Sequence, residues 1–196
     1  KDDVYGTNTS TKFILQITVS IILVFFGDFR LSSFYGVLNI GETGYFWGSL
    51  FSVILIIFLN NAFNLIDGVD GLAGTIGILS SLTFGFLFAC MHQSPYAFIA
   101  FALAGALAGF IKYNWWPAKI FMGDTGALTI GLISVALAIK FIELNKFTDE
   151  EGPQFYSAPA IAVSILIVPI FDSLRAFFIR ILNKKSSVNI YTYQSS

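Results

Sequence analysis

Six long apolar runs, almost free of charge, constrain this chain more than any other feature of its sequence. They lie at about residues 13–26, 47–65, 72–91, 96–113, 127–141 and 158–181. A helix that crosses a bilayer needs about 20 apolar residues, so the first and fifth runs are short for the task. The runs are continuous rather than striped, which argues against amphipathic surface helices. Charged residues make up only 12% of the 196 residues, where a soluble domain carries about 25%. That leaves too little polar surface for a soluble protein with a large core. The expected fold is therefore an all-α integral membrane protein with about six transmembrane helices. Net charge is −1, which gives no reason to expect a nucleic acid partner. The single Cys90 excludes an internal disulfide, and the lone His92 does not make a metal cluster.

The connections differ in character. Residues 28–46, with breakers at Tyr35-Gly36 and Gly41, read as a short extracytoplasmic β-hairpin. Residues 144–157 form an acidic loop with Asp149, Glu150 and Glu151. Residues 66–71 and 114–126 are short, rich in Gly and Asp, and abut helix ends. Gly74, Gly77, Gly85, Gly105 and Gly109 suit close packing between helices within the chain. Pro169 predicts a kink in the last helix. The chain starts at Lys1 with no signal peptide in view and reads as a fragment lacking upstream sequence. Residues 1–183 are expected to form one polytopic domain, with 184–196 a divergent or truncated cytoplasmic tail.

Orientation follows from the basic residues. With the N-terminus in the cytoplasm, Lys1, Lys12, Lys112, Lys119, Arg175, Arg180, Lys184 and Lys185 fall inside. Arg30, Lys140 and Lys146 fall outside, so the positive-inside rule is obeyed. The same parity applies to the carboxylates. Two crossings separate Asp2 and Asp3 from Asp67 and Asp70, and two more separate those from Asp124. All five are then expected at the cytoplasmic face. Five carboxylates at helix ends repel one another, and a bound cation offsets that repulsion. Oxygen-only donors select a hard ion, Mg²⁺ by default and Mn²⁺ as a substitute. Asp67, Asp70 and Asp124 are the candidate metal ligands.

Each piece has a plainer alternative. An Asp-Gly pair is commonly a turn, Asp67 or Asp124 alone can cap a helix, and Asp2-Asp3 alone can be a solvated end. Gly123-Asp124-Thr125-Gly126 precedes a helix whose free N–H groups can meet phosphate. Asn60, Asn61 and Asn64 occupy the last turns of the second run, where polar side chains face a protein interior or cavity. Asn114 can read a base edge and Phe121 can stack on it. Lys119 and Arg175 can hold diphosphate, or simply follow the charge bias. Trp115 and Trp116 read as interfacial anchors.

Two strings now resemble a known family. Asn61-Ala-Phe-Asn-Leu-Ile-Asp-Gly-Val-Asp-Gly-Leu-Ala73 and Pro117-Ala-Lys-Ile-Phe-Met-Gly-Asp-Thr-Gly-Ala-Leu128 are similar to motifs of the polyprenyl-phosphate N-acetylhexosamine-1-phosphate transferases, glycosyltransferase family 4. Lys1-Asp2-Asp3 resembles the end of that family's first Asp-rich motif. The resemblance implies a Mg²⁺-dependent transfer of a sugar 1-phosphate from a UDP-sugar to a polyprenyl phosphate, usually undecaprenyl phosphate, with release of UMP. It implies a multi-pass protein of the bacterial plasma membrane with a cytoplasmic active site, serving cell-envelope polysaccharide synthesis, and leaves room for a homodimer. It gives Asp124, Asp67 and Asp70 to the metal and nucleotide pocket, together with Asn61 and Asn64. It gives Asp2 or Asp3 to the lipid phosphate, Asn114 and Phe121 to uracil, and Lys119 and Arg175 to diphosphate.

Ile66 stands where the peptidoglycan branch, which transfers phospho-MurNAc-pentapeptide, typically has Thr. Lys119 and the segment from Phe171 to Arg180 resemble the branch that uses UDP-GlcNAc. The family's His-x-His-His motif is missing from residues 186–196, so little activity is expected of the chain alone. Two rivals stand beside this reading. One is a cation-coupled transporter or channel, whose carboxylates would lie near mid-membrane. The other is an inactive structural remnant of the family.

Overall fold

The computed structural model describes residues 9–33, 35–36, 41–147, 155 and 157–193. Asp2, Asp3 and the acidic residues 149–151 lie outside the described residues. The chain is a helical bundle in the order α1 (Thr9–Phe26), α2 (Tyr45–Ile66), α3 (Leu72–Cys90), α4 (Ser94–Asn114), α5 (Gly123–Leu144), a 3₁₀ turn (Asn145–Phe147), α6 (Ala158–Ile165) and α7 (Ile167–Tyr193). In hydrocarbon each backbone N–H and C=O must find its partner inside the segment, and a helix achieves this. The apolar runs therefore become helices whatever their local propensities.

α2 is the central element. It packs along α5 and also touches α1 and α7, while α3 packs along α4 and against α5. Because lipid is as apolar as Leu, close packing rather than exclusion from water holds such helices together. Gly131 shows how close: a Cβ there would stand 3.0 Å from Asn60 Cα and 3.1 Å from its carbonyl oxygen. Aromatic rings fill the far half of the core, with Phe141 tilted against Phe84 and Phe155 and edge-on to Phe88. The outward faces remain apolar, among them Phe98 and Phe86 at 76% and 63% exposure, as a lipid-facing surface requires.

Three expectations need correction. About six spans are not found. Among the described residues, four helices (α2 to α5) are long and apolar enough to cross a membrane, and a bent α6–α7 pair makes a fifth. The first run falls short because α1 opens on Thr11, Lys12 and Gln16, and its apolar part is brief. The sixth run is broken by 69° between Ile165 and Ile167. Pro169 has no N–H to offer the carbonyl four residues back, so a new helix starts with Pro169 in its first turn.

The β-hairpin is also absent. Among the described residues there is no strand, only an isolated antiparallel bridge between Ser33 and Glu42. The donors a ladder would use point elsewhere. Leu31 N–H donates to Ser52 Oγ at 2.9 Å, and Ser32 N–H to Glu143 Oε1 at 2.7 Å. Helix side chains thus capture the segment before a second strand can. Lastly, Gly105 and Gly109 do not pack within the chain, since a Cβ on either meets nothing within 4 Å. They face outward on α4.

Candidate functional site

The chain breaks that end α2 and begin α5 set the site. α2 stops at Ile66 with Asp67 as its C-cap, and the turn through Gly68, Val69 and Asp70 closes at Gly71. Gly71 has φ +75°, a left-handed conformation that glycine adopts without Cβ strain, and it opens α3. α4 ends at Asn114, residues 115–122 form a loop, and Gly123 at φ +66° starts α5 with Asp124 in its first turn. Each terminus therefore leaves its carboxylate just beyond an apolar span, where ionisation costs less than at mid-bilayer.

The structure brings these ends together. Asn64 Nδ2 donates to Asp124 Oδ1 at 2.9 Å across α2 and α5. Lys12, from the start of α1, forms a close ion pair with Asp124 Oδ2. Asp67 is half-buried, and its carboxyl is pushed up to about 6. Burial is the main cause, the Asp124 and Asp70 carboxylates add to it, and the Gly123 N–H bonding to Asp67 works against it. Asp67, Asp70 and Asp124 thus share one electrostatic neighbourhood.

The other expected residues divide into two groups. Asn61 faces α1, donating to Gln16 Oε1 at 2.8 Å and accepting from Gln16 Nε2 at 3.4 Å. Asn114 is buried; its Oδ1 accepts from Gly71 N–H at 3.1 Å and its Nδ2 donates to the Ile120 carbonyl at 3.0 Å. Asp70 Oδ2 accepts from Ala118 N–H at 3.1 Å. Phe121 and Lys119, by contrast, are exposed on the 115–122 loop, and Phe121 is 78% exposed. Arg175 forms an ion pair with Asp172 at 3.8 Å and lines a cavity of about 560 Å³ with Leu65, Val69 and Phe171. A second groove, of about 430 Å³, runs between α1 and α5 from Lys12 and Thr125 to Val19 and Leu132.

Sequence reasoning counted Lys12 only as part of the charge bias and passed over Gln16. Their signal was present. They stand four residues apart, on one face of α1, and are its longest polar side chains.

A hard divalent cation suits this end chemically. The donors are carboxylate and amide oxygens, the type such an ion takes, although Lys12 occupies Asp124 Oδ2 and a cation there would have to displace its ammonium. Among the described residues no three His, Cys, Asp or Glu side chains stand close enough to form a ready-made metal cage.

The family model for glycosyl transferase family 4 matches residues 1–142. Curated relatives fall into two groups. A phospho-N-acetylmuramoyl-pentapeptide-transferase of Enterococcus hirae is 37% identical over 140 residues, 68% of this chain and 42% of the relative. A probable undecaprenyl-phosphate N-acetylglucosaminyl 1-phosphate transferase of Bacillus subtilis is 33% identical over 191 residues, 94% of this chain and 49% of the relative. A decaprenyl-phosphate N-acetylglucosaminephosphotransferase of Mycobacterium tuberculosis is 32% identical over 193 residues, 89% of this chain and 46% of the relative. The chain spans less than half the length of the curated relatives it matches.

Proposed function

The chain belongs to glycosyltransferase family 4, and from that premise we propose that it serves transfer of GlcNAc 1-phosphate from UDP-GlcNAc to a polyprenyl phosphate such as undecaprenyl phosphate. The setting is a bacterial plasma membrane with the site toward the cytoplasm. The carrying observation is the meeting of Asp67, Asp124, Asn64 and Lys12 at one end of the bundle, drawn from three helices far apart in sequence. The GlcNAc branch is favoured because similarity to its members runs for 191 and 193 residues, while similarity to the pentapeptide transferases covers 140.

In this reading Asp124 and Asp67 hold Mg²⁺, with Asn64 fixing the orientation of the Asp124 carboxylate. The ion, when bound, neutralises diphosphate charge and lets two anions approach. A lipid phosphate oxygen attacks the phosphorus that carries the sugar, the bond to the bridging oxygen breaks, and UMP leaves with that oxygen. Lys12 offers its ammonium to phosphate at the mouth of the α1–α5 groove. Phe121 gives the base a stacking face, Lys119 and Arg175 meet phosphate from the rim, and Asp2 or Asp3 takes or orients the lipid phosphate proton.

The test incubates the protein in bilayers with radiolabelled UDP-GlcNAc, undecaprenyl phosphate and Mg²⁺, with UDP-MurNAc-pentapeptide as the competing donor. Labelled lipid and UMP formed from UDP-GlcNAc support the proposal. Mg²⁺-dependent UDP-sugar binding without transfer points to an inactive remnant. No Mg²⁺-dependent binding of either donor sinks the reading.

A further inference from the structure

The end of the bundle away from Asp124 carries Arg30, Lys140 and Lys146, and the fold treats these three cations unequally. Lys146 has Glu143 as its counter-charge at 3.0 Å. Lys140 donates to a backbone acceptor, the Asp28 carbonyl at 2.7 Å, and its Nζ lies 4.7 Å from the centre of the Phe29 ring. Arg30 has less still. Its Cζ stands 4.7 Å from the centre of the Tyr45 ring, and its Nε is buried with no hydrogen-bond partner. Asp28 is two residues away, and Glu42 is brought close by its bridge to Ser33. Even so, among the described residues neither Arg30 nor Lys140 forms an ion pair with a carboxylate. A guanidinium has five N–H donors and is always charged, so a partly buried one without an acceptor is unfavourable until an anion meets it. The packing also fixes where it stands. A Cβ on Gly48 would lie 2.6 Å from the Leu31 carbonyl oxygen and 3.7 Å from Arg30 Cγ, and Leu31 N–H is tied to Ser52. The segment therefore lies flat on the first turns of α2, with the guanidinium over Tyr45.

The surroundings tell which kind of anion fits. Tyr45, Phe46 and Trp47 are all exposed at the start of α2, the aromatic belt expected where hydrocarbon meets water. Tyr45 packs against Phe25 with ring centres 6.2 Å apart, and one turn further into the membrane Ile21 and Ile22 are exposed on α1. A cation at the interface thus stands directly above an apolar wall. A free phosphate would use the cation alone, whereas an anionic head with acyl chains uses both. We propose that Arg30 and Tyr45 form a site for one anionic phospholipid, in the leaflet opposite Asp67 and Asp124. Its phosphodiester oxygens accept from the outward N–H groups of the guanidinium, and Lys140 adds a second positive charge from beside Phe29. The acyl chains lie along Phe25 and the outer face of α1. No part of this site is shared with the proposed transferase chemistry.

The experiment places the whole chain in phosphatidylcholine nanodiscs that contain a little phosphatidylglycerol with a photoactivatable group on one acyl chain. Adducts are mapped by mass spectrometry. They should concentrate in residues 21–30 and 45–48. Arg30→Gln should lower the yield there at least about fivefold, the scale set by one cation at a membrane surface, while adducts near Lys112 at the other end stay unchanged. Arg30→Lys should keep part of the yield, because it retains the charge and loses the planar fork. Photoactivatable phosphatidylcholine should label these segments no more than the rest of the lipid-facing surface. The proposal is overturned if Arg30→Gln leaves the phosphatidylglycerol adducts unchanged. It is equally overturned if that change lowers labelling by both lipids alike, as loss of a merely structural contact with Tyr45 would do. Competition by inorganic phosphate in excess would show an anion site that no lipid selects, and would also overturn it. Should Arg30→Gln fail to fold, Lys140→Gln decides: a fall of about twofold or more in the same adducts supports the site, and no fall overturns it.

Discussion

The two ends of the bundle handle charge in opposite ways. At the end formed by α2, α5 and the loop at 28–46, Glu143 is surrounded by donors. Its Oε1 accepts from Ser32 N–H at 2.7 Å and from Lys146 Nζ at 3.0 Å, and its Oε2 accepts from Ser32 Oγ at 2.8 Å. Nearby, Tyr35 donates to the Ile142 carbonyl at 2.8 Å, and Asn145 exchanges two bonds with the Phe155 backbone, at 2.8 and 2.9 Å. At the opposite end, Asp67 feels both Asp124 and Asp70, and its carboxyl is pushed up to about 6. One end is a satisfied network that ties loops to helices. The other holds like charges together, an arrangement that costs stability and is kept where a ligand will relieve it.

The largest effect expected is on activity. Asp124→Asn should lower transfer at least about a hundredfold, the scale set by loss of a group aimed at the reacting charge. The melting temperature should change little, because relief of the repulsion with Asp67 is offset by loss of the Lys12 ion pair; a fall of many degrees without loss of turnover would break the comparison. Glu143→Ala should do the reverse. It strands Ser32 N–H and leaves Lys146 with Ser32 Oγ but without its counter-charge, so denaturation should show a loss of about 2–3 kcal/mol while UDP-GlcNAc binding stays unchanged.

pH separates the two ends further. Asp67 has an ordinary value of 3.8 and one of about 6 in the folded chain, so the folded state holds its proton more tightly. The stability this gives is fully present below 3.8 and is lost as pH rises through about 6. Thermal melts between pH 4 and pH 7 should show that decline, and Asp67→Asn should flatten it. Mg²⁺ binding has the opposite sign: calorimetry should find it weakening as pH falls below about 6, where a proton competes for the carboxylate. The smallest effect belongs to the layer between the ends. Gln16→Leu removes the Asn61 pair and should cost about 0.6 kcal/mol, the average for such bonds in membranes.

Much of this was legible without coordinates. Apolar runs free of charge dictate membrane helices, because hydrocarbon leaves the backbone no other partner. The positions of Asp67, Asp70 and Asp124 beside those runs follow from the same pattern, and so does the break before Pro169. Tertiary structure decided what depends on partners distant in sequence. Ser52 and Glu143 capture the N–H groups of Leu31 and Ser32, which is why local turn signals at 35–36 and 41 do not yield a hairpin. Gly105 and Gly109 look outward because the partner helix that α4 meets, α3, lies on another face. Lys12 becomes a site residue only when α1 lies beside α5, and Asn114 turns to backbone only when α4 meets the turn at Gly71. The physical reason is range. Burial in lipid acts on each segment by itself and can be read along the chain, whereas a hydrogen bond or ion pair needs its second atom within about 3 Å, and only the packed bundle supplies that.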